Sequence, residues 1–221
     1  GPMSDRPAYL RPYQEAVEAF GPRFEALLWN RPETQRVRFE ALVSMLELEG
    51  RTLADLGCGR ADLAAFLRDR GIAYGRYLGV EGVHELCEAC RARVRDEGLR
   101  DCVFHERDFV ADERVFGHLV QDGGASVLVF SGSLNTLEPA HARRVLERAW
   151  GAVSAVPGGT LAFNFLSDRH GDPTRTDENT GPARRFDTLA LLDWAMRSTP
   201  LVRFRQDYLQ GHDAAIVMVR D

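Results

Sequence analysis

The 221-residue chain has no apolar run long enough to cross a membrane, and its first residues show no basic segment followed by an apolar one. We therefore expect a cytoplasmic protein with no membrane partner. Basic residues are not in excess, since 28 Lys and Arg stand against 33 Asp and Glu, giving a net charge of −5. A surface of that sign repels phosphate backbones, so we expect no nucleic-acid partner.

Cysteine is scarce, and its four residues lie in one central region: Cys58, Cys87, Cys90 and Cys102. So few thiols in a chain of this size do not make a disulfide framework, and we expect them to be reduced. Cys87 and Cys90 form a C-x-x-C with His84 three residues earlier. A closed zinc site needs four ligands, and no second Cys/His pair is nearby, so we expect no metal. The helical spacing of Leu86, Cys90 and Val94 instead makes Cys90 a buried apolar position.

Internal repeats and low-complexity tracts are also lacking, and strand and helix signals alternate along the chain. We predict strands at residues 52–56, 77–81, 102–109, 125–133, 158–167, 201–208 and 214–220. We predict helices over residues 30–50, from residue 62, and over 84–94, 139–153 and 187–198. Five alternating units followed by a closely connected pair of strands predict an α/β fold. Its doubly wound, mostly parallel seven-stranded sheet carries an antiparallel C-terminal strand.

Two glycines, Gly57 and Gly59, stand where the first strand turns into a helix in "TLADLGCGRADL". In an open parallel sheet, ligands bind at the carboxyl ends of the strands, where this turn lies. Glycine lets the backbone pass close to a ligand, and amides at a helix start can donate hydrogen bonds to it. The pattern favours a nucleotide-like ligand, although tight turns also use glycine for conformation alone.

Glu81 ends the second predicted strand 22 positions after Gly59, at the distance expected for an acid that accepts hydrogen bonds from ribose hydroxyls. A dinucleotide fingerprint would place glycine at position 62, where this chain has Asp62. The spacing therefore favours a single nucleoside over a dinucleotide.

With these residues in place, "ADLGCGRADL" resembles the first motif, D-x-G-x-G-x-G, of the class I S-adenosylmethionine-dependent methyltransferases, with Ala61 at the third glycine. The resemblance covers roughly residues 30–221 and implies a Rossmann-like methyltransferase fold, S-adenosylmethionine as cofactor and methyl transfer as the activity. It implies that the methionine part of the cofactor is held by Asp55, Gly57, Cys58 and Gly59, and that the ribose is held by Glu81.

Two later motifs extend the resemblance. "RDF" matches the segment after the third strand and implies Asp108 at the adenine amino group and Phe109 over the ring. Ser131 and Gly132, at the end of the fourth strand, are implied to pass beside the sulfonium.

The N-terminal helices are similar to the cap that many small-molecule members of this family place over the cofactor. We therefore divide the chain into a helical cap, residues 3–50, and a cofactor-binding α/β domain, residues 51–221. In the cap, Arg38 is our candidate for the methionine carboxylate and Trp29 for a face near the cationic sulfur.

The acceptor side carries three candidate catalytic residues. Asn135 lies just beyond the expected position of the sulfur and can orient an acceptor, while His170 and His212 are possible bases. The segment "SGSLNTL" lacks the N-P-P-Y pattern of the family's adenine methyltransferases, so we expect a small-molecule acceptor. Two other functions stay open from the sequence: a non-catalytic nucleoside-binding module and a nicotinamide-dependent oxidoreductase.

Overall fold

Eight strands form one sheet in the computed structural model, which describes residues 8, 11, 15, 32–170 and 183–221. The strands are β1 (Thr52–Leu56), β2 (Arg76–Glu81), β3 (Cys102–Glu106), β4 (Val127–Phe130), β5 (Thr160–Ser167), β6 (Arg185–Phe186), β7 (Leu201–Arg205) and β8 (Asp213–Val219). Seven of them are ordered β3-β2-β1-β4-β5-β8-β7, and the two-residue β6 pairs with β5.

The strand directions confirm the predicted fold class. β1 to β5 are parallel in all their mutual pairings, whereas β8 runs antiparallel to both β5 and β7. The strand order reverses between β1 and β4, which makes the carboxyl ends of those strands the switch point where ligands bind in such sheets.

Within residues 32–170 and 183–221 the structure has six α-helices and a short 3-10 helix, Leu209–Gly211. The α-helices are α1 (Pro32–Val43), α2 (Asp62–Asp69), α3 (His84–Glu97), α4 (Val115–Gln121), α5 (Pro139–Val153) and α6 (Thr188–Ser198). α1 to α3 bury their apolar residues in a core on one face of the sheet, and α4 to α6 bury theirs in a core on the other. The sheet is therefore covered on both faces, as continuous apolar strands require. None of these helices has the length and apolar content needed to cross a membrane.

Several element boundaries differ from the predictions. The first helix ends at Val43 rather than near Gly50, because the chain tightens into i−3 turns there, with the amides of Met45 and Leu46 donating to Leu42 and Val43. The third strand ends at Glu106, and "RDF" forms a turn in which the Asp108 side chain accepts from backbone amides. α4 and β6 were not predicted.

Candidate functional site

The glycine turn, Gly57 to Gly59, joins β1 to α2 in a left-handed backbone conformation. Gly57 and Gly59 have φ values of 77° and 57°, which side chains rarely tolerate. A Cβ atom on Gly57 would stand 2.6 Å from the Cβ of Ser133, a distance that real contacts do not reach. The turn therefore needs glycine both for its conformation and for the close approach of the loop after β4.

The amides of Gly57, Cys58 and Gly59 have partners inside the protein. The amides of Gly57 and Cys58 both donate to the carbonyl of Val80, at 2.8 and 3.0 Å. The Gly59 amide donates to Oε1 of Glu81 at 2.9 Å. The turn thus offers a ligand close backbone approach rather than these three N–H groups.

Glu81 is buried at the end of β2, with 7% of its surface exposed. Besides the Gly59 amide at Oε1, its Oε2 accepts from the amide of Val83 at 2.8 Å. Burial raises the pKa of this carboxyl to about 7, although the amide hydrogen bonds oppose the shift. A carboxylate has about four acceptor positions, so a fixed Glu81 can still accept hydrogen bonds from a ligand.

Asp55, one strand away, is held by a residue that the sequence analysis missed. The hydroxyl of Tyr77 on β2 donates to Oδ2 of Asp55 at 2.5 Å, and both side chains are buried. Burial raises the pKa of Asp55 to about 7, with the Tyr77 hydrogen bond opposing it. Two buried carboxyls therefore lie on neighbouring strands, and the charge of Asp55 raises the pKa of Glu81, while that of Asp62 raises the pKa of Asp55.

Cys90 is buried, as predicted, and it also contacts the glycine turn. Its thiol donates to the carbonyl of Gly59 at 2.9 Å, and its Sγ lies 4.0 Å from that of Cys58. The hydrogen bond between Cys58 and Cys90, followed by burial, raises the pKa of the Cys58 thiol. Gly79 leaves room for the Phe104 ring and the Cys58 sulfur, since a Cβ there would stand 2.5 Å from a Phe104 ring carbon and 3.0 Å from that sulfur. The glycine inside the strand signal "YLGVE" was the clue to this close approach.

Asp108 and Phe109 follow β3 at the same edge. Oδ1 of Asp108 accepts from the amides of Val110 and Ala111, which fixes the turn. Phe109 is buried, packs edge-on against Phe130 at a centroid distance of 5.4 Å, and lies beside Gly57.

Ser131 and Gly132 were predicted to end the fourth strand but lie directly after β4, where they are positioned by Asn164, a second residue that the sequence analysis missed. Asn164 Oδ1 accepts from the Gly132 amide at 2.6 Å, and its Nδ2 donates to Ser131 Oγ at 2.8 Å. Asn164 is fully buried on β5, and a polar residue inside an apolar strand was the signal for such a role.

The loop after β4 contains two buried polar atoms without a hydrogen-bond partner in the described residues: Oγ of Ser133 and Oδ1 of Asn135. Asn135 is anchored through its backbone, whose carbonyl accepts from the Arg184 amide at 2.7 Å. Buried polar groups are nearly always hydrogen-bonded, so these two atoms are suited to a ligand.

The two candidate bases lie together. The rings of His170 and His212 stack at a centroid distance of 4.7 Å and an interplanar angle of 19°. The Arg185 guanidinium lies 3.1 Å from Nδ1 of His212. Since Arg only donates, Nδ1 is the acceptor and Nε2 carries the proton. His212 therefore presents an N–H group at Nε2 rather than a proton acceptor.

Arg38, on α1, lies beside the start of β8 and is hydrogen-bonded there to another side chain of the protein. Its Nε donates to Oδ2 of Asp213 at 3.1 Å, and the Tyr208 hydroxyl donates to Oδ1 at 2.5 Å. All three side chains are buried, and burial raises the pKa of Asp213 to about 6 while Arg38 opposes the shift. The carboxylate that Arg38 binds here is thus Asp213. Trp29 lies outside the described residues.

Comparison with known proteins gives a result for the fold alone. No protein-family model matches the chain, and no curated protein matches it in sequence. Among solved structures, the S-adenosylmethionine-dependent methyltransferase SibL superimposes with a TM-score of 0.68 at 17% identity, over 99% of this chain and 63% of SibL. An O-methyltransferase family protein from Burkholderia thailandensis gives 0.62 at 20% identity, over 96% of this chain and 71% of that protein.

The glycopeptide N-methyltransferase MtfA, solved with S-adenosyl-L-methionine, gives a TM-score of 0.59 at 13% identity, over 85% of this chain and 94% of MtfA. These likenesses show that the chain has the Rossmann-like fold of S-adenosylmethionine-dependent methyltransferases.

Proposed function

We propose that the protein is an S-adenosylmethionine-dependent methyltransferase that acts on a small-molecule acceptor. The observation that carries the proposal is the contact between Glu81 and Gly59, which places a buried carboxylate beside a glycine turn at the switch point of the sheet. The fold and the two unpartnered polar atoms at Ser133 and Asn135 support it.

The residues at this edge fit a nucleoside cofactor. Glu81 keeps acceptor positions for the ribose hydroxyls, and we assign Asp108 to the adenine amino group and the buried Phe109 to the adenine ring. The glycine turn, with Asp55 and Cys58, takes the methionine part, and Ser131 and Gly132 pass beside the sulfonium. In this proposal, residues 3–50 are the cap over the cofactor, with Trp29 near the sulfur.

Arg38 belongs to the same proposed cap. We assign it to the methionine carboxylate through a guanidinium nitrogen other than Nε, because Nε donates to Asp213. One guanidinium has five N–H donors, so both carboxylates can be served.

In the proposed methyl transfer, the main task of the protein is to align the acceptor with the methyl group. Bound S-adenosylmethionine supplies an electrophilic methyl group on a sulfonium. The protein holds the acceptor in line with that methyl group and excludes water, and alignment can supply about 7–11 kcal/mol of the barrier reduction. Asn135 orients the acceptor, since its buried Oδ1 needs a donor such as an acceptor O–H or N–H group.

His170 and His212 divide the remaining roles. Because the Nε2 of His212 carries the proton, His212 donates a hydrogen bond to the acceptor. His170, stacked on it, is the candidate to take a proton from an acceptor that must lose one.

Two observations favour a small-molecule acceptor over a nucleic acid. The chain carries a net charge of −5, which disfavours a phosphate backbone. MtfA, which shares the fold, is a glycopeptide N-methyltransferase, and the protein from Burkholderia thailandensis belongs to an O-methyltransferase family.

Thermal unfolding with S-adenosylmethionine, S-adenosylhomocysteine or NAD tests the cofactor assignment. A ligand present at 100 times its dissociation constant stabilises by about 2.7 kcal/mol, or roughly 5–10 °C for a chain of this size. We expect that shift with the first two ligands and none with NAD. Stabilisation by NAD alone would favour an oxidoreductase and overturn the proposal.

Methyl transfer itself is tested with S-adenosylmethionine labelled in the methyl group. Label in the small-molecule fraction of an extract supports the proposed acceptor class, whereas label in RNA or protein contradicts it. Cofactor binding without transfer to any fraction would favour the non-catalytic nucleoside-binding module.

A further inference from the structure

A groove away from the glycine turn lies between α4 and the two outer strands β2 and β3. Its cavity volume is about 350 Å³. Leu78, Val103 and Leu119 supply its apolar lining. Because β3 is the last strand of the sheet, Val103 remains 39% exposed there, so an apolar ligand would cover surface that the fold leaves open.

The polar lining of the groove is mostly basic. It consists of Arg76, His105, Arg107 and His118, with Asp122 as the acid. Arg107 is fixed by an ion pair with Asp112, and its Nη1 lies 3.1 Å from Nδ1 of His118. Since arginine only donates, His118 accepts at Nδ1 and carries an N–H at Nε2. Guanidinium and imidazole donors are thus held at the end of the groove nearest α4.

Arginine charges act on His105 in the groove although the chain as a whole is acidic. Burial lowers the pKa of His105, and the charges of Arg107, Arg91 and Arg76 lower it further. Three guanidinium groups therefore act on one side chain of the lining, and an anion placed beside it would be stabilised.

We propose that this groove is a second ligand site, which binds a small organic anion consisting of a carboxylate or phosphate group on an apolar body. The volume of about 350 Å³ lies in the range of small-molecule pockets and is too small for a nucleic-acid strand. The apolar lining receives the body, and Arg76, Arg107 and His118 bind the acidic group.

The groove runs along the strands toward the proposed cofactor site. Arg76 begins β2 and stands about 17 Å from Glu81 at 3.3 Å per residue, whereas the amide of Arg107 donates to the carbonyl of Glu81. The groove lining contains none of the residues assigned to the cofactor, so the two proposals can fail independently.

Phenyl phosphate is the probe, measured by titration calorimetry at low ionic strength against inorganic phosphate and phenol. We expect saturable one-to-one binding of phenyl phosphate, binding about tenfold weaker for inorganic phosphate, and none for phenol. Equal binding of phenol would show that the arginines do not matter and would overturn the proposal, as would the absence of any saturable binding.

Two variants locate the probe. Arg76→Gln should weaken phenyl phosphate binding about tenfold, and Val103→Asp, at an exposed position, should abolish it. Arg95→Gln, on the exposed surface of α3, removes the same charge as Arg76→Gln and should leave binding unchanged. Loss of binding in Arg95→Gln alone would contradict the assignment. So would displacement of the probe by S-adenosylhomocysteine, or tighter binding of an RNA oligonucleotide through Arg76.

Discussion

Glu81 at the end of β2 accepts a hydrogen bond of 2.9 Å from the backbone amide of Gly59, which fastens the glycine turn to the neighbouring strand. Its second oxygen accepts from the amide of Val83, so one buried side chain holds two segments of backbone. The residue proposed to bind the ribose is thus also part of the fold.

Replacing Glu81 by alanine should lower the stability of the protein. The amides of Gly59 and Val83 would lose their acceptors, while the cost of burying the carboxyl would disappear. The net loss in the free energy of unfolding should be about 2 kcal/mol. For a chain of this size, the melting temperature should fall by about 4–8 °C. Glu88→Ala, on the exposed surface of α3, should change the stability by less than about 0.5 kcal/mol. Equal melting temperatures of the two variants would show that the Glu81 contacts do not stabilise the turn.

Tyr77→Phe should destabilise the protein through Asp55. The buried carboxyl would lose its hydroxyl donor, and its pKa would rise further above about 7. We expect a loss of about 1–2 kcal/mol in urea denaturation. Tyr74→Phe is the matched control, because the Tyr74 hydroxyl donates to the carbonyl of Arg100 at an exposed position. A larger loss in the control would contradict the role given to Tyr77.

The stability of the ligand-free protein should fall as the pH rises from about 5 to 7.5. The pKa values of Asp55 and Glu81 are raised to about 7, and that of Asp213 to about 6, from ordinary values of 3.8, 4.5 and 3.8. Between the two sets of values the folded chain keeps protons that the unfolded chain has lost, so raising the pH favours unfolding.

Urea denaturation at pH 5.5, 6.5 and 7.5 measures this fall in the free energy of unfolding, which should amount to about 4 kcal/mol over the interval. Glu81→Gln should make the fall smaller, because one of the three carboxyls no longer titrates. Stability that rises steadily over the interval would contradict the assigned burial of these groups.

Asn135 and Asn164 should separate acceptor binding from cofactor binding. Asn135→Ala removes a side-chain oxygen that has no partner in the described residues, so S-adenosylhomocysteine affinity should stay within about twofold while turnover falls about tenfold. Asn164→Ala removes the contacts that hold Ser131 and Gly132, and it should lower both cofactor affinity and stability. The same loss of cofactor affinity in both variants would refute the acceptor role of Asn135.

Much of the fold could be predicted because its signals are local. α5 begins at Pro139 and ends at Val153, as its apolar spacing predicts, and Asp187 caps α6 by accepting from the Ala190 amide. α4 has only seven residues, one of them a glycine, and β6 has only two residues. Neither is long enough to show a periodic pattern of apolar residues in the sequence. Both elements form because the sheet beside them supplies the partners.

The contacts within the site could not be predicted in the same way, because they join distant parts of the chain. Tyr77 reaches Asp55 only because β2 pairs with β1 in a register that sets Leu53 opposite Tyr77. The approach of Cys90 to Gly59 depends on how α3 packs against the glycine turn. The sequence indicated which residues gather at the carboxyl ends of the strands, while the hydrogen bonds among them follow from packing.

The most direct test of the proposed nucleoside site is a calorimetric titration of S-adenosylhomocysteine into the wild-type protein, Glu81→Gln and Glu88→Gln. The glutamine at position 81 keeps the size of the side chain but removes the charge that would accept the ribose hydroxyls. We predict one-to-one binding to the wild type, affinity about 30-fold lower for Glu81→Gln, equivalent to about 2 kcal/mol, and unchanged affinity for Glu88→Gln. Absence of binding to the wild-type protein, or equal affinity in the two variants, would contradict the account.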